Sequence, residues 1–104
     1  MSYQSKLRCE SIDMLFDAVI SLQSREECYR FFEDLCSISE LQAMAQRLEV
    51  ARMLNENITY SDIACKTGAS TATISRINRC LRYGAEGYRL VLDRQPAAKD
   101  TAEE

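Results

Sequence analysis

Apolar side chains recur at intervals of three and four residues along most of this chain, the spacing of one face of an α-helix. In the first half the pattern predicts three helices: one over 11–22, one opened by Ser24, and one from Ser39 to about Asn55. Glu or Gln follows each of these serines after three residues, the spacing of a capping box. The alternation of apolar and polar residues that strands show is absent. The pattern therefore predicts an all-α protein.

The apolar stripes of these helices predict which residues face inward. The first stripe consists of Ile12, Leu15, Phe16, Val19 and Ile20, the second of Cys28, Phe31, Phe32 and Leu35, and the third of Leu41, Met44, Ala45, Leu48, Ala51 and Leu54. Such stripes are usually protein core, and Cys28 and Cys36 are predicted to be core thiols. The first two stripes hold more apolar surface than a chain of 104 residues is expected to cover alone. We therefore expect a second copy of the chain to pack on them, with a self-contained bundle as the alternative.

The segment 59–82 predicts a short helix, a tight turn and a second helix. Thr59 has an acidic residue three positions on, as in a capping box, and Ala64 allows another helix to approach closely. Gly68 can adopt the positive φ that ends a helix, and Ser70 can cap the next one. The inward face of the second helix is formed by Ile74, Ile77 and Leu81. This order and spacing are typical of a DNA-binding helix-turn-helix, although many glycine-linked helix pairs touch no DNA.

The outward face of the second predicted helix carries short side chains first and arginines afterwards. Its candidate DNA-binding residues are Thr71, Ala72, Thr73, Ser75, Arg76, Arg79 and Arg82. Methyl and hydroxyl groups can reach base edges in the major groove, and guanidinium groups can bind phosphates. A sequence-specific regulator that binds double-stranded DNA is therefore the leading function hypothesis. A helical module that binds a partner protein through the same helices, without DNA, is the alternative.

The end of the chain is predicted to contain one more helix and a tail. Gly84 is a suitable C′ residue for the second helix of the motif, and a last helix follows over about 85–94. Its inward residues would be Tyr88, Val91 and Leu92. The polar residues after it predict disorder. We therefore expect a single helical domain over 1–94 and a disordered tail over 95–104.

The formal net charge is −3, but the charges are unevenly distributed. Residues 1–58 have six basic and ten acidic side chains, whereas residues 66–94 have six basic and two acidic ones. Positive charge is therefore concentrated on the second helix of the motif and just after it, as phosphate binding requires. A solvated polar face is the other explanation of the arginines.

Composition argues against most other kinds of site. Five cysteines form no CxxC pair and histidine is absent, so we expect neither a metal site nor a catalytic dyad that needs an imidazole base. No carboxylate pair or thiol has catalytic spacing, and an enzyme is the least expected class. The polar start of the chain and the lack of a long apolar run predict a cytoplasmic protein with reduced thiols, no membrane and no cofactor.

From residue 41 to residue 94 the chain resembles the Trp repressor superfamily. The strings TGASTATISR and RCLRYGAEGYRLVLDR, at 67–76 and 79–94, are similar to its YerC/YecD branch. The resemblance implies an intertwined, all-helical homodimer with about six helices per subunit, which regulates transcription by binding an operator. The two recognition helices would then enter successive major grooves, about one DNA turn apart.

The resemblance also implies roles for single residues. Thr71, Ala72, Thr73 and Ser75 match the base-facing and nearby phosphate-facing positions of the repressor's recognition helix. Arg47 and Arg76 match the two arginines that flank bound tryptophan, and with Cys80 they form the candidate ligand pocket.

Three positions depart from the repressor. Ile77 replaces a glycine that leaves room beside the ligand, Cys80 replaces a serine, and Ser37 replaces a threonine. Because the branched side chain would occupy space that an indole ring needs, we expect tryptophan not to be the corepressor. The effector would be another small molecule or none, and Arg47 and Arg76 would pair with acidic residues or with phosphate.

Overall fold

The computed structural model describes residues 5–95, and these residues form six α-helices and no strand. The helices are α1 Glu10–Ile20, α2 Arg25–Leu35, α3 Ile38–Asn55, α4 Tyr60–Thr67, α5 Thr71–Tyr83 and α6 Gly87–Arg94. The all-α prediction is confirmed. Within these residues no helix combines the length and the apolar character needed to cross a membrane. The predicted disorder of the tail concerns, apart from Gln95, positions outside the described residues.

The chain divides into two compact units, Met1–Leu41 and Gln42–Glu104. In the first unit, α2 begins with the predicted cap at Ser24, and the return hydrogen bond of the capping box goes to the residue before the cap. Ser24 Oγ accepts a hydrogen bond from Glu27 N at 3.1 Å, and Glu27 Oε1 accepts one from Gln23 N at 2.8 Å. Two donors that the helix itself cannot satisfy are thereby paired.

No side chain of α1 or α2 is buried. Phe16 is 54 % exposed, Tyr29 58 % and Leu35 49 %. Cys28 is exposed and Cys36 is half-buried. The single chain therefore does not enclose a core around these stripes, as expected, because two helices of 11 residues each cover too little surface. Their cover by a second copy of the chain stays a prediction.

A capping box also opens α3, but two residues earlier than predicted. Ser37 Oγ accepts a hydrogen bond from Glu40 N at 3.1 Å, and Glu40 Oε1 accepts one from Ser37 N at 2.8 Å. The predicted pair of Ser39 and Gln42 overlaps this box and lies inside the helix. A carboxylate accepts a stronger hydrogen bond than an amide oxygen and is also favoured at a helix N-terminus, so the box with Glu40 prevails.

The hydrophobic core lies in the second unit and is built from α3, α4, the turn after α4, and α5. Its nine buried residues are Val50, Ala51, Met53, Leu54, Ile63, Ala69, Ile74, Ile77 and Leu81. The partly buried residues packed against them are Ile58, Ala64, Tyr88 and Leu92. The predicted inward face of α5 is confirmed, since all three of its residues belong to this core.

Only the last two turns of α3 contribute buried residues. Ala51 and Leu54 are buried as predicted. The remaining residues of the predicted stripe are Leu41 and Leu48, which are half-buried, and Met44 and Ala45, which are exposed. Val50 and Met53 lay outside the stripe and are buried. Four buried residues within five positions cover a wider arc than one stripe, which occurs where a helix is covered by more than one neighbour.

The end of α5 is formed by Gly84, as predicted, but not through the left-handed conformation. Its φ is −84°, and it is the C-cap residue itself. A Cβ atom at this position would lie 2.5 Å from the carbonyl oxygen of Cys80. Close approach of the backbone therefore explains the glycine here.

The last helix begins two residues later than predicted, after Glu86, which has φ 70°. Tyr88 and Leu92, one turn apart, pack against the core as predicted. Val91 is 42 % exposed, and its inward assignment is wrong. A helix of eight residues at the edge of the core buries a single narrow face, and Val91 lies to the side of it.

Candidate nucleic-acid interface

The segment 59–82 folds as the predicted helix, turn and helix. Thr59 Oγ1 accepts a hydrogen bond from Asp62 N at 3.2 Å and so caps α4. Gly68 has φ 78°, the left-handed conformation in which glycine is the least strained residue. Ser70 Oγ accepts a hydrogen bond from Thr73 N at 3.1 Å and caps α5. Each helix boundary of the motif is thus set by interactions among residues that are close to it in the sequence.

A set of hydrogen bonds centred on Thr67, the last residue of α4, holds the turn. Its hydroxyl donates to Ile63 O at 2.8 Å and accepts from Ala69 N at 3.1 Å. Its carbonyl oxygen accepts a hydrogen bond from Gln46 Nε2 of α3 at 3.0 Å. Gln46 was not among the predicted residues, because no local pattern shows which side chain 21 positions away will reach a turn.

The two faces of α5 differ sharply in burial. Ile74, Ile77 and Leu81 are at most 4 % exposed. The exposed candidate residues are Thr71, Ala72, Ser75, Arg76, Arg79 and Arg82. Thr73 is half-buried, and its Oγ1 accepts a hydrogen bond from Ser70 Oγ at 3.0 Å. Six of the seven candidates therefore lie on the surface, while the hydroxyl of Thr73 is engaged in the cap.

Unlike Arg30 and Arg52, the three arginines of α5 have no acidic partner in the part of the chain that the structure describes. Between residues 5 and 95, no carboxylate lies within 4.0 Å of the guanidinium groups of Arg76, Arg79 or Arg82. By contrast, Arg52 of α3 contacts Glu49 at 2.8 Å and Glu56 at 3.1 Å. The hydrogen bond to Glu49 is the main reason that the pKa of Arg52 is raised above its ordinary value. The outer face of α5 therefore keeps positive charge that no carboxylate of residues 5–95 neutralises by direct contact.

The candidate ligand-pocket residues Arg47, Arg76 and Cys80 are all exposed. Burial raises the pKa of the Tyr88 phenol, the positive charge of Arg47 opposes that rise, and Cys80 adds to it. Arg47 of α3 and Cys80 of α5 thus lie within electrostatic range of Tyr88 of α6. Arg76 precedes Cys80 by four residues and lies on the same face of α5. Arg47 and Cys80 therefore lie near Tyr88, and Arg76 lies one helical turn before Cys80.

The side chain of Ile77 lies in the core and is 4 % exposed. It packs within the cluster that contains Val50 and Ala51 of α3, so the space beside the backbone of α5 at this position is filled. Over residues 5–95, neither Arg47 nor Arg76 has an acidic partner within 4.0 Å, and their predicted pairing with acidic residues is not observed there. Their pairing with phosphate stays a prediction.

Acidic and sulfur side chains are not arranged for metal binding. In the part of the chain that the structure describes, no three Cys, Asp or Glu side chains converge to hold a metal ion. The five cysteines, all within that part, are free thiols. What the arrangement around α5 offers chemically is hydrogen bonding and positive charge on a buried aliphatic support.

Comparison with known proteins places this helical arrangement in one family. The sequence profile described as Trp repressor protein matches residues 10–96. The uncharacterised protein YerC of Bacillus subtilis (strain 168) is 61 % identical over 89 residues, which cover 86 % of each chain. A Staphylococcus aureus protein, whose crystal structure was described as that of a candidate Trp repressor, is 48 % identical. It superimposes with a TM-score of 0.84 over 91 % of this chain and 95 % of its own.

A TrpR-like protein from Eubacterium eligens ATCC 27750 has a TM-score of 0.83 and 55 % sequence identity, over 86 % of this chain and 92 % of its own. The same six-helix order therefore recurs in solved structures at substantial sequence identity. The resemblance inferred from the strings in α5 and α6 is confirmed. With the profile covering all six helices, the chain belongs to the Trp repressor family.

Proposed function

We propose that this protein is a sequence-specific regulator of transcription that binds double-stranded DNA as a homodimer in the cytoplasm. The observation that carries the proposal is the outer face of α5, where three arginines have no acidic partner in residues 5–95 while the opposite face is buried. A helix anchored on one side in this way can place its other side in a major groove about 12 Å wide. Membership of the Trp repressor family supports the same function.

The roles of the α5 residues follow from their chemistry and exposure. The exposed Thr71, Ala72 and Ser75 are at the start of the helix, where recognition helices contact base edges. Thr73 offers chiefly its methyl group, since its hydroxyl already binds Ser70. The arginines at 76, 79 and 82 extend the face with charges that bind phosphates and fix the position of the helix on the duplex.

The first unit supports the dimer. Its helices bury no side chain, and a segment without a core is not stable by itself. The large apolar residues exposed in the described part of this unit are Leu7, Met14, Phe16, Ile20, Tyr29, Leu35 and Ile38. A second copy of the chain would cover them and would present two α5 helices to two half-sites. On this proposal, residues 1–94 act as one domain within the dimer.

Tryptophan is not proposed as the effector. The Ile77 side chain fills the space that the ligand would need, and a gap for an indole ring would require the core to rearrange. Isothermal titration calorimetry with L-tryptophan is expected to give no heat of binding at micromolar ligand. Micromolar affinity would show that the isoleucine does not block the pocket. Exposed Arg47 lies near Tyr88, and anionic small molecules are the candidates for the same titration.

Selection of bound genomic fragments, followed by mobility-shift assays on the selected sequences, tests the proposed function. The protein is expected to retard selected fragments more strongly than mixed-sequence DNA, and the affinity should fall as salt rises. The alternative, a module that binds a partner protein only, predicts no retardation of any fragment at low salt. That outcome would refute the DNA-binding proposal.

A further inference from the structure

Two side-chain hydrogen bonds in residues 5–95 join distant parts of the sequence, and one of them reaches the turn of the helix-turn-helix. Gln46 Nε2 donates to Thr67 O across 21 positions, and Arg89 donates to Asn55 across 34. The remaining side-chain hydrogen bonds of this part of the chain span four positions or fewer. Within the second unit, Gln46 is therefore the side chain of α3 that holds the turn by a directional contact.

The acceptor of this bond lies at the centre of the turn. Thr67 ends α4, and its carbonyl oxygen is one of those that a helix C-terminus leaves without an internal partner. The hydroxyl of the same residue is bonded to Ile63 and Ala69, and the left-handed Gly68 follows directly. Both Gln46 and Thr67 are partly buried, so water competes less for the bond than it would on an open surface.

The other contacts between α3 and the motif do not determine position in the same way. They are aliphatic, between the end of α3 and residues such as Ile63 and Ile74. Burial of apolar surface is non-directional and tolerates small displacements, whereas a hydrogen bond weakens steeply when its distance or angle changes. Gln46 therefore provides a directional contact between α3 and the turn that precedes α5.

We propose that Gln46 is a positioning residue that, through its hydrogen bond to the Thr67 carbonyl, gives α5 the placement needed for sequence-specific DNA recognition. The inference rests on the proposed DNA-binding function. Contacts with base edges require the helix to be placed accurately, whereas contacts with phosphates from flexible arginines tolerate a shift. Loss of the bond should therefore reduce specific affinity and leave non-specific affinity nearly unchanged.

The test compares substitutions at two glutamines of α3 in the full-length chain. Gln46→Met keeps the length of the side chain and removes the donor. Gln42→Met makes the same chemical change at an exposed position whose side chain forms no hydrogen bond within residues 5–95. Gln46→Met is expected to weaken binding to a selected fragment about tenfold, to change binding to mixed-sequence DNA by less than about twofold, and to leave its salt dependence as in the wild type. Gln42→Met should match the wild type in all three measurements.

Gln46→Glu and Gln42→Glu form a second pair, in which both variants carry the same added charge. Gln46→Glu places a carboxylate against the Thr67 carbonyl and should lose sequence specificity as Gln46→Met does. Gln42→Glu should lose only as much DNA affinity as the added negative charge removes. In the absence of DNA, exchange of the Ala69 amide hydrogen should be faster in both Gln46 variants and unchanged in both Gln42 variants.

An unchanged ratio of specific to non-specific affinity in both Gln46 variants overturns the inference and leaves the proposed function intact. A parallel loss of both affinities, or a lower fraction of folded protein at the assay temperature, assigns Gln46 a structural role only and also overturns it. If the wild type retards no DNA, the proposed function fails and the inference with it. An unchanged Ala69 exchange rate shows separately that the bond does not hold the turn.

Discussion

At the scale of the residue, the arginines of this chain differ in whether a carboxylate of residues 5–95 contacts them. Arg30 and Arg52 contact carboxylates three or four positions away in the sequence, and such exposed pairs contribute little to stability. Arg79 and Arg82 have no acidic partner within residues 5–95 and are exposed, so their positive charge is available to an external anion. In the proposed function, arginine therefore has different roles on different helices of this chain.

Replacing Arg79 or Arg82 by alanine is expected to weaken binding to every DNA sequence and to lower the slope of log affinity against log salt by roughly one unit for each phosphate that is no longer bound. Affinities measured by fluorescence anisotropy over a salt series would show this. Arg30→Ala removes the same charge at a residue already paired with Glu26 at 3.0 Å, and its slope should match the wild type. Equal slopes in all three variants would show that α5 is not at the phosphates.

At the scale of the element, the ends of α4 and α5 depend on different properties of glycine. Gly68 is required for its positive φ of 78°, and nothing lies within 4 Å of the Cβ that another residue would place there. Gly84 has a negative φ but would place a Cβ 2.5 Å from Cys80 O. The backbone conformation accounts for glycine at position 68, and the steric contact accounts for glycine at position 84.

Gly84→Ala is expected to lower the free energy of unfolding by about 1–3 kcal/mol, because the last turn of α5 must open to accommodate the methyl group. Gly87→Ala is the matched control, since no atom lies within 4 Å of its added Cβ, and alanine favours the helix by up to about 1 kcal/mol. Urea unfolding at one fixed protein concentration measures both variants. A midpoint for Gly84→Ala at or above that of the wild type would contradict the steric explanation.

At the scale of the whole molecule, the distribution of buried residues is uneven. The nine buried side chains come from residues 50–81, whereas α1 and α2 contribute none and expose large apolar residues. Exposed apolar surface of this kind usually marks an interface. A second copy of the chain covers it in the proposed dimer, and stability then depends on protein concentration.

Sedimentation equilibrium of the wild type is expected to give twice the mass of one chain, and the melting temperature should rise with protein concentration. Phe16→Glu places a charge on a side chain that is 54 % exposed in the single chain, and it should shift the protein toward monomer or unfold it. Gln23→Glu adds the same charge at an exposed polar position and should remain dimeric. A wild-type monomer whose melting temperature does not change with concentration would refute the dimer.

The local structure of this chain was largely predictable from its sequence. The caps at Ser24, Thr59 and Ser70 and the turn at Gly68 were predicted correctly, because each depends on hydrogen bonds or backbone angles within about four residues. The start of α3 was misplaced because two possible capping boxes overlap there, one beginning at Ser37 and one at Ser39. Only the relative strength of their hydrogen bonds decides which of the two forms.

The sequence by itself determined the helices, the turn and the charged outer face of α5, since periodicity and capping act along the chain. Only the tertiary structure decided which faces are covered: it buried Val50 and left Val91 and Cys28 exposed. Burial depends on the elements that pack against a helix. A stripe of apolar residues shows which face of the helix is suited to burial, but not whether another element covers that face. The bond between Gln46 and Thr67 likewise exists only because folding brings together atoms that the sequence separates by 21 residues.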